Sequence, residues 1–171
     1  MALRYALLGA LADFPRTGYE LLKHFEQSLA YAWPASHSQI YPELARLRDE
    51  GLIEQTGTGA RNSKTYAVTQ AGLDEVRRWL RETEPDRRVR SDAALRTFFL
   101  WLLEPDEALE QLASERVYWR DRLDELERIK AGPRGPGRKE QAFGIALEGG
   151  IRAIGARLDW LDWASTELSR R

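Results

Sequence analysis

Five polar residues near the middle of the N-terminal half have the types and spacing to hydrogen-bond to DNA. Ser36, Ser38 and Gln39 offer hydroxyl and amide groups, Tyr41 offers a phenol, and His37 lies between them. An amide can pair with an adenine edge, a serine with several bases or a phosphate, and a tyrosine with a phosphate oxygen. His37 would face DNA or solvent. The alternative for the whole set is a polar face that meets only water.

The same residues open a predicted helix whose opposite face is apolar. Ser36 and Gln39 have the spacing of a capping box, which marks the start of a helix. Ile40, Leu44 and Leu47 recur at steps of four and three, so they lie together on one side. The polar residues therefore occupy the N-terminal part of the helix, which reaches base edges when such a helix enters a groove of DNA.

A β-hairpin is predicted directly after this helix. Gly51 ends the helix, residues 52–54 begin a strand, and residues 64–68 form the returning strand. The intervening turn contains glycines and an asparagine that permit positive φ. A helix followed by such a hairpin is typical of a winged helix-turn-helix. The residues on these elements that would contact DNA are Arg46, Arg61, Asn62 and Lys64.

Two further helices are predicted before the helix that begins at Ser36, which is the predicted recognition helix. The first spans residues 2–12 and is largely apolar. Thr17 caps the second, with Glu20 at the capping-box distance. On this second helix Tyr19 and Lys23 lie one turn apart and could reach a phosphate. The alternative is that Tyr19 belongs to the core and Lys23 is merely solvated.

Six blocks in this half of the chain resemble the PadR family of transcriptional regulators. In order, they are LLGAL at 7–11, TGYEL at 17–21, IYPEL at 40–44 followed by RL at 46–47, EGLI at 50–53, KTY at 64–66 and TQAG at 69–72. The second half is similar to the longer α-helical C-terminal domains that some of these regulators carry. The resemblance implies a dimeric repressor of this type, and regulators similar to it respond to phenolic acids or other aromatic compounds.

Charge gives no independent support for DNA binding. Residues 1–83 contain ten basic and ten acidic side chains, and the whole chain has a net charge of -1. Because clustered Lys and Arg supply much of the affinity for DNA, the positive charge must be arranged locally. Arg16 would join the residues named above on one basic face. The balanced charge also keeps open a second function, a winged-helix module that binds another protein.

Other functional classes lack their characteristic residues. Cysteine is absent, which excludes disulfides and thiolate metal sites. The two histidines, His24 and His37, have no metal-binding spacing, and no nucleophile motif or phosphate-binding loop occurs. We therefore expect neither an enzyme nor a cofactor. No apolar run is long enough to span a membrane, so we expect a soluble cytoplasmic protein.

A charged, proline-containing segment predicts the boundary between two domains. We predict a winged helix-turn-helix over residues 1–83, a linker over 84–91 and a helical domain over 92–171. The fold class is mostly α with one small β-hairpin wing, followed by an antiparallel helical dimerisation arm. The basic residues around the linker could touch DNA or simply be solvated; they are Arg81, Arg87, Arg88 and Arg90.

The second domain is predicted to dimerise. A helix over 92–103 precedes long helices over 106–130 and 138–168, which carry apolar residues at alternating steps of three and four. Glycines on the last helix would let a second copy approach closely. A symmetric dimer would place two recognition helices about 34 Å apart on a palindromic operator. The predicted interface residues are Leu123, Leu126, Leu147, Ile151, Ile154, Leu158 and Leu161.

Six tryptophans suggest a site for a small aromatic or hydrophobic effector. Such a ligand would release DNA if it preferred a dimer with wrongly spaced recognition helices. Phe98, Trp101 and Trp119 lie near the junction of the domains and are candidate ligand contacts. Trp33 is either a core plug or a pocket wall. The alternative is that these tryptophans are simply large core and interface residues, where aromatic side chains are equally typical.

Overall fold

The computed structural model describes residues 2–25, 35–58, 63–87, 91–133 and 135–170. The helices are α1 (Ala2–Leu11), α2 (Gly18–His24), α3 (His37–Asp49), α4 (Gln70–Glu82), α5 (Asp92–Thr97), α6 (Pro105–Ala131) and α7 (Arg138–Ser169). The strands are β1 (Arg16–Thr17), β2 (Ile53–Thr58) and β3 (Lys64–Val68). The chain divides into two compact units, Met1–Arg87 and Arg88–Arg171, and this division falls within the predicted linker. The predicted fold class is confirmed.

The core of the first unit is built from the apolar faces of α1, α2 and α3 together with the sheet. Its buried side chains are Leu7, Leu8, Ala10, Leu11, Leu21, Phe25, Ile40, Leu44, Leu47, Ile53 and Tyr66. Each helix contributes at helical spacing, and Ile53 and Tyr66 come from β2 and β3. The short helices are therefore stabilised by one shared apolar cluster rather than by their own length.

The sheet has three antiparallel strands in the order β1-β3-β2. Arg16 of β1 pairs with Tyr66 of β3, a pairing that the sequence analysis did not predict. A two-residue strand carries no alternating pattern, so only its pairing with β3 identifies it. The β2–β3 register shifts between Gln55 and Gly57, which places a bulge in the hairpin and increases its twist.

A close backbone contact fixes the start of α4 against the entry to β2. The Thr69 hydroxyl donates to the Gly51 carbonyl at 2.8 Å, and the Thr69 N–H donates to the Leu52 carbonyl at 3.0 Å. A Cβ atom on Gly72 would lie 2.2 Å from the Leu52 carbonyl oxygen and 2.7 Å from a methyl group of Val68. Only glycine fits at this position without displacing the backbone.

Helix α1 is attached to both α3 and α4. The Tyr5 ring stacks on Trp79 with 4.6 Å between ring centroids and 5° between planes. The Tyr5 hydroxyl donates to Glu75 at 3.3 Å, and Arg4 forms an ion pair with Glu50, the residue that follows α3. Movement of α1 would therefore disturb the C-terminal end of α3.

The second unit is a long antiparallel hairpin of α6 and α7. Its buried core consists of Leu112 and Leu126 on α6 and of Leu147, Ile154, Leu158 and Leu161 on α7. An ion pair between Arg116 and Asp162, with 2.8 Å between their charged atoms, joins the two helices. Within the described ranges, no helix is long and apolar enough to cross a membrane.

The helix predicted over 92–103 is shorter than expected. Helix α5 ends at Thr97, and a single 3-10 turn follows at Leu100–Leu102. Much of the apolar stripe that suggested a long helix is exposed in the chain: Phe98 is 75% exposed and Leu102 is 64% exposed. Within the second unit, an apolar pattern at helical spacing thus predicted burial correctly for α6 and α7 but not for α5.

Candidate nucleic-acid interface

Helix α3 is held in place by a buried apolar face and by hydrogen bonds at both of its ends. Ile40, Leu44 and Leu47 are each at most 1% exposed. At the C-terminus Gly51 adopts a φ of 72°, and its N–H donates to the Arg48 carbonyl at 2.9 Å. The Leu52 N–H donates to the Leu47 carbonyl at 2.9 Å, which completes a Schellman motif. The predicted helix and its glycine stop are confirmed.

The N-terminal turn of α3 is organised by its own side chains. The Gln39 Oε1 atom accepts hydrogen bonds from the Ser36 N–H at 3.0 Å and from the Ser36 hydroxyl at 3.1 Å. The hydroxyl oxygens of Ser36 and Ser38 lie 2.9 Å apart. All three residues are exposed. The predicted cap therefore forms, and it uses residues that were also predicted to bind DNA.

An aromatic pair covers one side of this turn. The rings of His37 and Tyr41 lie 4.2 Å apart between centroids and are tilted by 32°. Gly18, the first residue of α2, faces the Tyr41 ring, and a Cβ atom there would lie 2.8 Å from the ring carbon Cε1. Gly18 thus allows Tyr41 to lie against α2 while remaining 40% exposed. The sequence showed the two motifs that contain these residues but not their contact.

Nearby acidic side chains partly balance the arginines of α3. Arg46 forms an ion pair with Glu43 at 3.2 Å, and Arg48 forms one with Asp49 at 2.8 Å. The side chain of Arg46 is nevertheless 71% exposed. Because exposed ion pairs contribute little free energy, Arg46 can exchange its contact with Glu43 for a phosphate.

Two lysines and a tyrosine outside α3 also face solvent. Tyr19 is 66% exposed, so the interpretation of Tyr19 as a core residue is wrong. Lys23 on α2 and Lys64 at the start of β3 are exposed, and neither forms an ion pair within the described part of the chain. Both ammonium groups are therefore available to phosphates.

Arg16 does not belong to this exposed basic set. Its side chain is 9% exposed, lies 3.3 Å from the Asp13 carboxylate and stacks on the Phe14 ring at 3.9 Å. The sequence prediction that Arg16 contacts DNA is therefore corrected: β1 and the preceding turn hold the side chain inside. Arg61, Asn62 and Trp33 lie outside the described residues, as do Arg88 and Arg90 of the predicted linker.

Among the described residues, three aromatic side chains were predicted to bind a ligand: Phe98, Trp101 and Trp119. Trp101 is 75% exposed, as is Phe98. Trp119 is half-buried on α6, where its indole N–H donates to Glu115 at 3.1 Å and the Arg157 guanidinium lies 5.0 Å from its ring. These contacts give Trp119 a structural role in the second unit.

A cavity of about 410 Å³ lies beside these residues within the second unit. Its apolar wall comes from α5 and the 3-10 turn, and the facing wall comes from α6. The lining includes Phe99, Leu100, Leu102, Leu103, Arg96 and Glu115. Phe98, Trp101 and Trp119 do not line this cavity, which takes its apolar wall from the residues around the end of α5 at Thr97.

The side chains predicted to form the dimer interface lie in the apolar cluster of the α6–α7 hairpin. Leu126, Leu147, Ile154, Leu158 and Leu161 are at most 7% exposed in the single chain. Leu123 and Ile151 pack against the same cluster and are half-buried. Five of the seven predicted residues are therefore covered by the hairpin itself.

No metal centre is formed by the described residues: no group of three or more His, Cys, Asp or Glu side chains there is placed to hold an ion. The described side chains at α3 instead supply hydroxyl, amide, imidazole and guanidinium groups on an exposed surface. Such a surface can bind a polar polymer but offers no enclosed site for a reaction.

Two family descriptions match the chain, one for each unit. Residues 7–78 match the family described as "Transcriptional regulator PadR-like family", and residues 89–169 match "Virulence activator alpha C-term". The negative transcriptional regulator PadR of Bacillus subtilis is 33% identical over 129 residues, which cover 73% of this chain and 71% of that protein. A probable transcriptional regulator of Mycobacterium tuberculosis is 31% identical over the full length of both chains.

Solved structures of Bacillus subtilis PadR have the same fold. The complex with operator DNA gives a TM-score of 0.86 at 27% identity, covering 98% of this chain and 99% of that chain. The complex with p-coumaric acid gives a TM-score of 0.82 at 26% identity, covering 99% of both chains. The similarity therefore includes both units.

Proposed function

Because the chain belongs to the PadR-like family of transcriptional regulators, we propose that it is a homodimeric repressor that acts in the cytoplasm on a palindromic operator. The proteins of this family and the similar solved structures are regulators and not enzymes. The observation that supports the proposal most directly is the exposed polar turn of α3, held by a buried apolar face in a chain similar to one that binds operator DNA.

The side chains of the first unit divide into two roles. Those in the first turn of α3 would face base edges, because the N-terminal part of a recognition helix lies deepest in the major groove. The exposed lysines, Arg46 and the tyrosines would contact phosphates and fix the register of the helix. The proposed base contacts are Ser36, His37, Ser38 and Gln39, and the proposed backbone contacts are Tyr19, Lys23, Tyr41, Arg46, Arg61, Asn62 and Lys64.

Dimerisation would use a second apolar stripe on α7, on the side away from the core. This stripe runs at steps of four and three through Ile145, Gly149, Ala153, Ala156, Trp160 and Trp163, all of which are exposed. Ile145 is 69% exposed and Trp163 is 60% exposed, and the Cβ position of Gly149 has open space around it. A contiguous exposed apolar surface of this kind marks an interaction site.

The stripe predicts the effect of one added charge on the oligomeric state. Ala156→Glu would bury a carboxylate between two copies, so we expect a monomer in sedimentation or light-scattering measurements. Thr166→Glu adds the same charge at an exposed position of α7 beside the stripe and should stay dimeric. An Ala156→Glu variant that is as dimeric as the wild type would contradict this interface.

The effector would be a small aromatic or hydrophobic molecule. Bacillus subtilis PadR has been solved with p-coumaric acid, and the cavity of the second unit combines apolar walls with the guanidinium of Arg96. A planar acid could place its ring against Phe99 and its carboxylate near Arg96. Phe98, Trp101 and Trp119 belong to the same unit, and the two tryptophans would report binding through their fluorescence.

Binding to DNA tests the central proposal. The pure protein would be titrated with the DNA upstream of its own gene and with random DNA, each at two salt concentrations. We expect affinity for the upstream DNA to exceed that for random DNA by about a thousandfold or more and to fall steeply with salt. Absence of binding to either DNA at low salt would favour the alternative, a winged-helix module for a protein partner.

A further inference from the structure

The amide of Gln39 is divided between two tasks. Its oxygen accepts two hydrogen bonds from Ser36, at 3.0 Å from the backbone N–H and at 3.1 Å from the hydroxyl. Its nitrogen has no partner among the described residues, and the side chain is exposed. Gln39 therefore presents to the outside only the nitrogen half of its amide.

The orientation of this amide follows from the chemistry of its partner. A backbone N–H can only donate, so the atom of Gln39 that faces Ser36 must be the carbonyl oxygen. Reversing the amide would place its N–H₂ group against the Ser36 N–H and leave the helix start without its acceptor. The same contact that caps α3 thus fixes the two N–H donors on the exposed side.

This orientation restricts which base edge Gln39 can read. The paired contact of glutamine with adenine needs both amide atoms, because the oxygen accepts from N6 and the nitrogen donates to N7. In α3 the oxygen is already occupied. Two donors match an edge that offers only acceptors, which in the major groove is O6 and N7 of guanine or O4 of thymine, whereas adenine places the N6 donor beside its N7 acceptor.

We propose that Gln39 reads an acceptor edge of a base pair, guanine or thymine, through its amide nitrogen while its oxygen caps the recognition helix. This proposal rests on the proposed function, since it assumes that α3 enters the major groove. It replaces the adenine contact predicted from the sequence. The serine that begins the helix thereby sets the donor character of a base-reading side chain three residues away.

Gln39→Glu separates the two tasks of this side chain. Glutamate is the other residue found at this position of a capping box, so one carboxylate oxygen can keep both bonds to Ser36. The other carboxylate oxygen takes the place of the amide nitrogen, so an acceptor stands where the wild type has two N–H donors. We expect thermal stability close to that of the wild type and operator affinity at least about tenfold lower. We also expect the preference at one half-site position to move to a donor edge, cytosine N4 or adenine N6.

Gln39→Ala is the control, because it removes both the cap and the donors. We expect it to lower stability and to relax the base preference at the same position without moving it to a new base. Affinities would be measured on a panel that carries each of the four base pairs at every half-site position. Whether the wild type prefers guanine or thymine at the position affected by Gln39→Ala identifies which acceptor is read.

Two results would overturn the proposal. One is a wild-type preference for an A·T pair, at the position that Gln39→Ala relaxes, that is lost when purine, which lacks the N6 amino group, replaces the adenine. The other is a Gln39→Glu variant that keeps the operator affinity and base preference of the wild type. If instead the wild type does not distinguish its upstream DNA from random DNA, the proposed function itself is wrong. This result differs from both of those that would overturn only the role of Gln39.

Discussion

Replacing Gly72 with alanine should loosen the joint between α4 and β2. The added Cβ atom would lie 2.2 Å from the Leu52 carbonyl oxygen, where ordinary van der Waals contact begins at 3.4 Å. Val68 closes the other side, with a methyl carbon at 2.7 Å from the same position. Since the nearest obstacle is backbone and not a flexible side chain, α4 must shift by about 1 Å to restore normal contact distances.

That shift has a cost that can be estimated from the contacts it breaks. Two hydrogen bonds of Thr69, to the Gly51 and Leu52 carbonyls, depend on the present position of α4. Their loss costs about 1 kcal/mol each, and crowding in a packed region costs about 1–3 kcal/mol more. The gain from alanine over glycine in a helix offsets about 1 kcal/mol. The net loss is roughly 2–4 kcal/mol, which lowers the Tm of a unit of this size by about 10 °C or more.

Gly9→Ala is the matched control for this measurement. Gly9 lies in α1 of the same unit, is exposed, and has no atom within 4 Å of its Cβ position. The same substitution there should stabilise the protein by about 0.5–1 kcal/mol. Thermal and denaturant unfolding of both variants and the wild type would be compared at one protein concentration, because dimerisation makes Tm depend on concentration. A Gly72→Ala variant that is as stable as Gly9→Ala would refute the steric argument.

Three other substitutions test the interface and the helix caps. Gly18→Ala should displace the Tyr41 ring and weaken operator binding. The loss of stability should be smaller than for Gly72→Ala, because the exposed ring can move. Unchanged operator affinity would show that the position of the ring does not matter for binding. Lys64→Ala should weaken binding to operator and random DNA alike and reduce the slope of log affinity against log salt by about 1; an effect confined to the operator would instead indicate a base contact. Hydrogen bonds from the N–H and hydroxyl of Thr17 lower the pKa of Glu20, so its carboxylate stabilises the fold above the ordinary glutamate pKa of about 4.3. Glu20→Gln should therefore cost about 0.5 kcal/mol at neutral pH, and its difference from the wild type should vanish as the pH falls through the lowered pKa; a difference that persists in acid would contradict this cause.

Local sequence signals predicted most of the first unit. Thr17 with Glu20 and Thr69 mark helix starts, and Gly51 marks a helix end, because each of these contacts joins residues only a few positions apart. Strand β1 and the burial of Arg16 depend on pairing with β3, about fifty residues away, and no local pattern records that pairing. The contact of Gly18 with Tyr41 is equally non-local.

The second unit shows a different limit. Apolar residues at steps of three and four on α7 predicted correctly that one face is buried, but not which chain covers it. Leu147, Ile154 and Leu158 are covered by α6 of the same chain. The stripe through Ala156 and Trp163 has the same spacing and remains exposed. Periodicity alone assigns neither stripe to a dimer contact.

The closed ends of α3 have a consequence for the thermodynamics of binding. At the first turn the Ser36 N–H donates to Gln39, and at the last turn the carbonyls of Leu47 and Arg48 accept from the N–H groups of Leu52 and Gly51. The recognition helix is thus fully formed before any DNA arrives. Docking of α3 should therefore proceed with a heat-capacity change that reflects only the buried interface area, without the additional entropy loss of a helix that folds on its target.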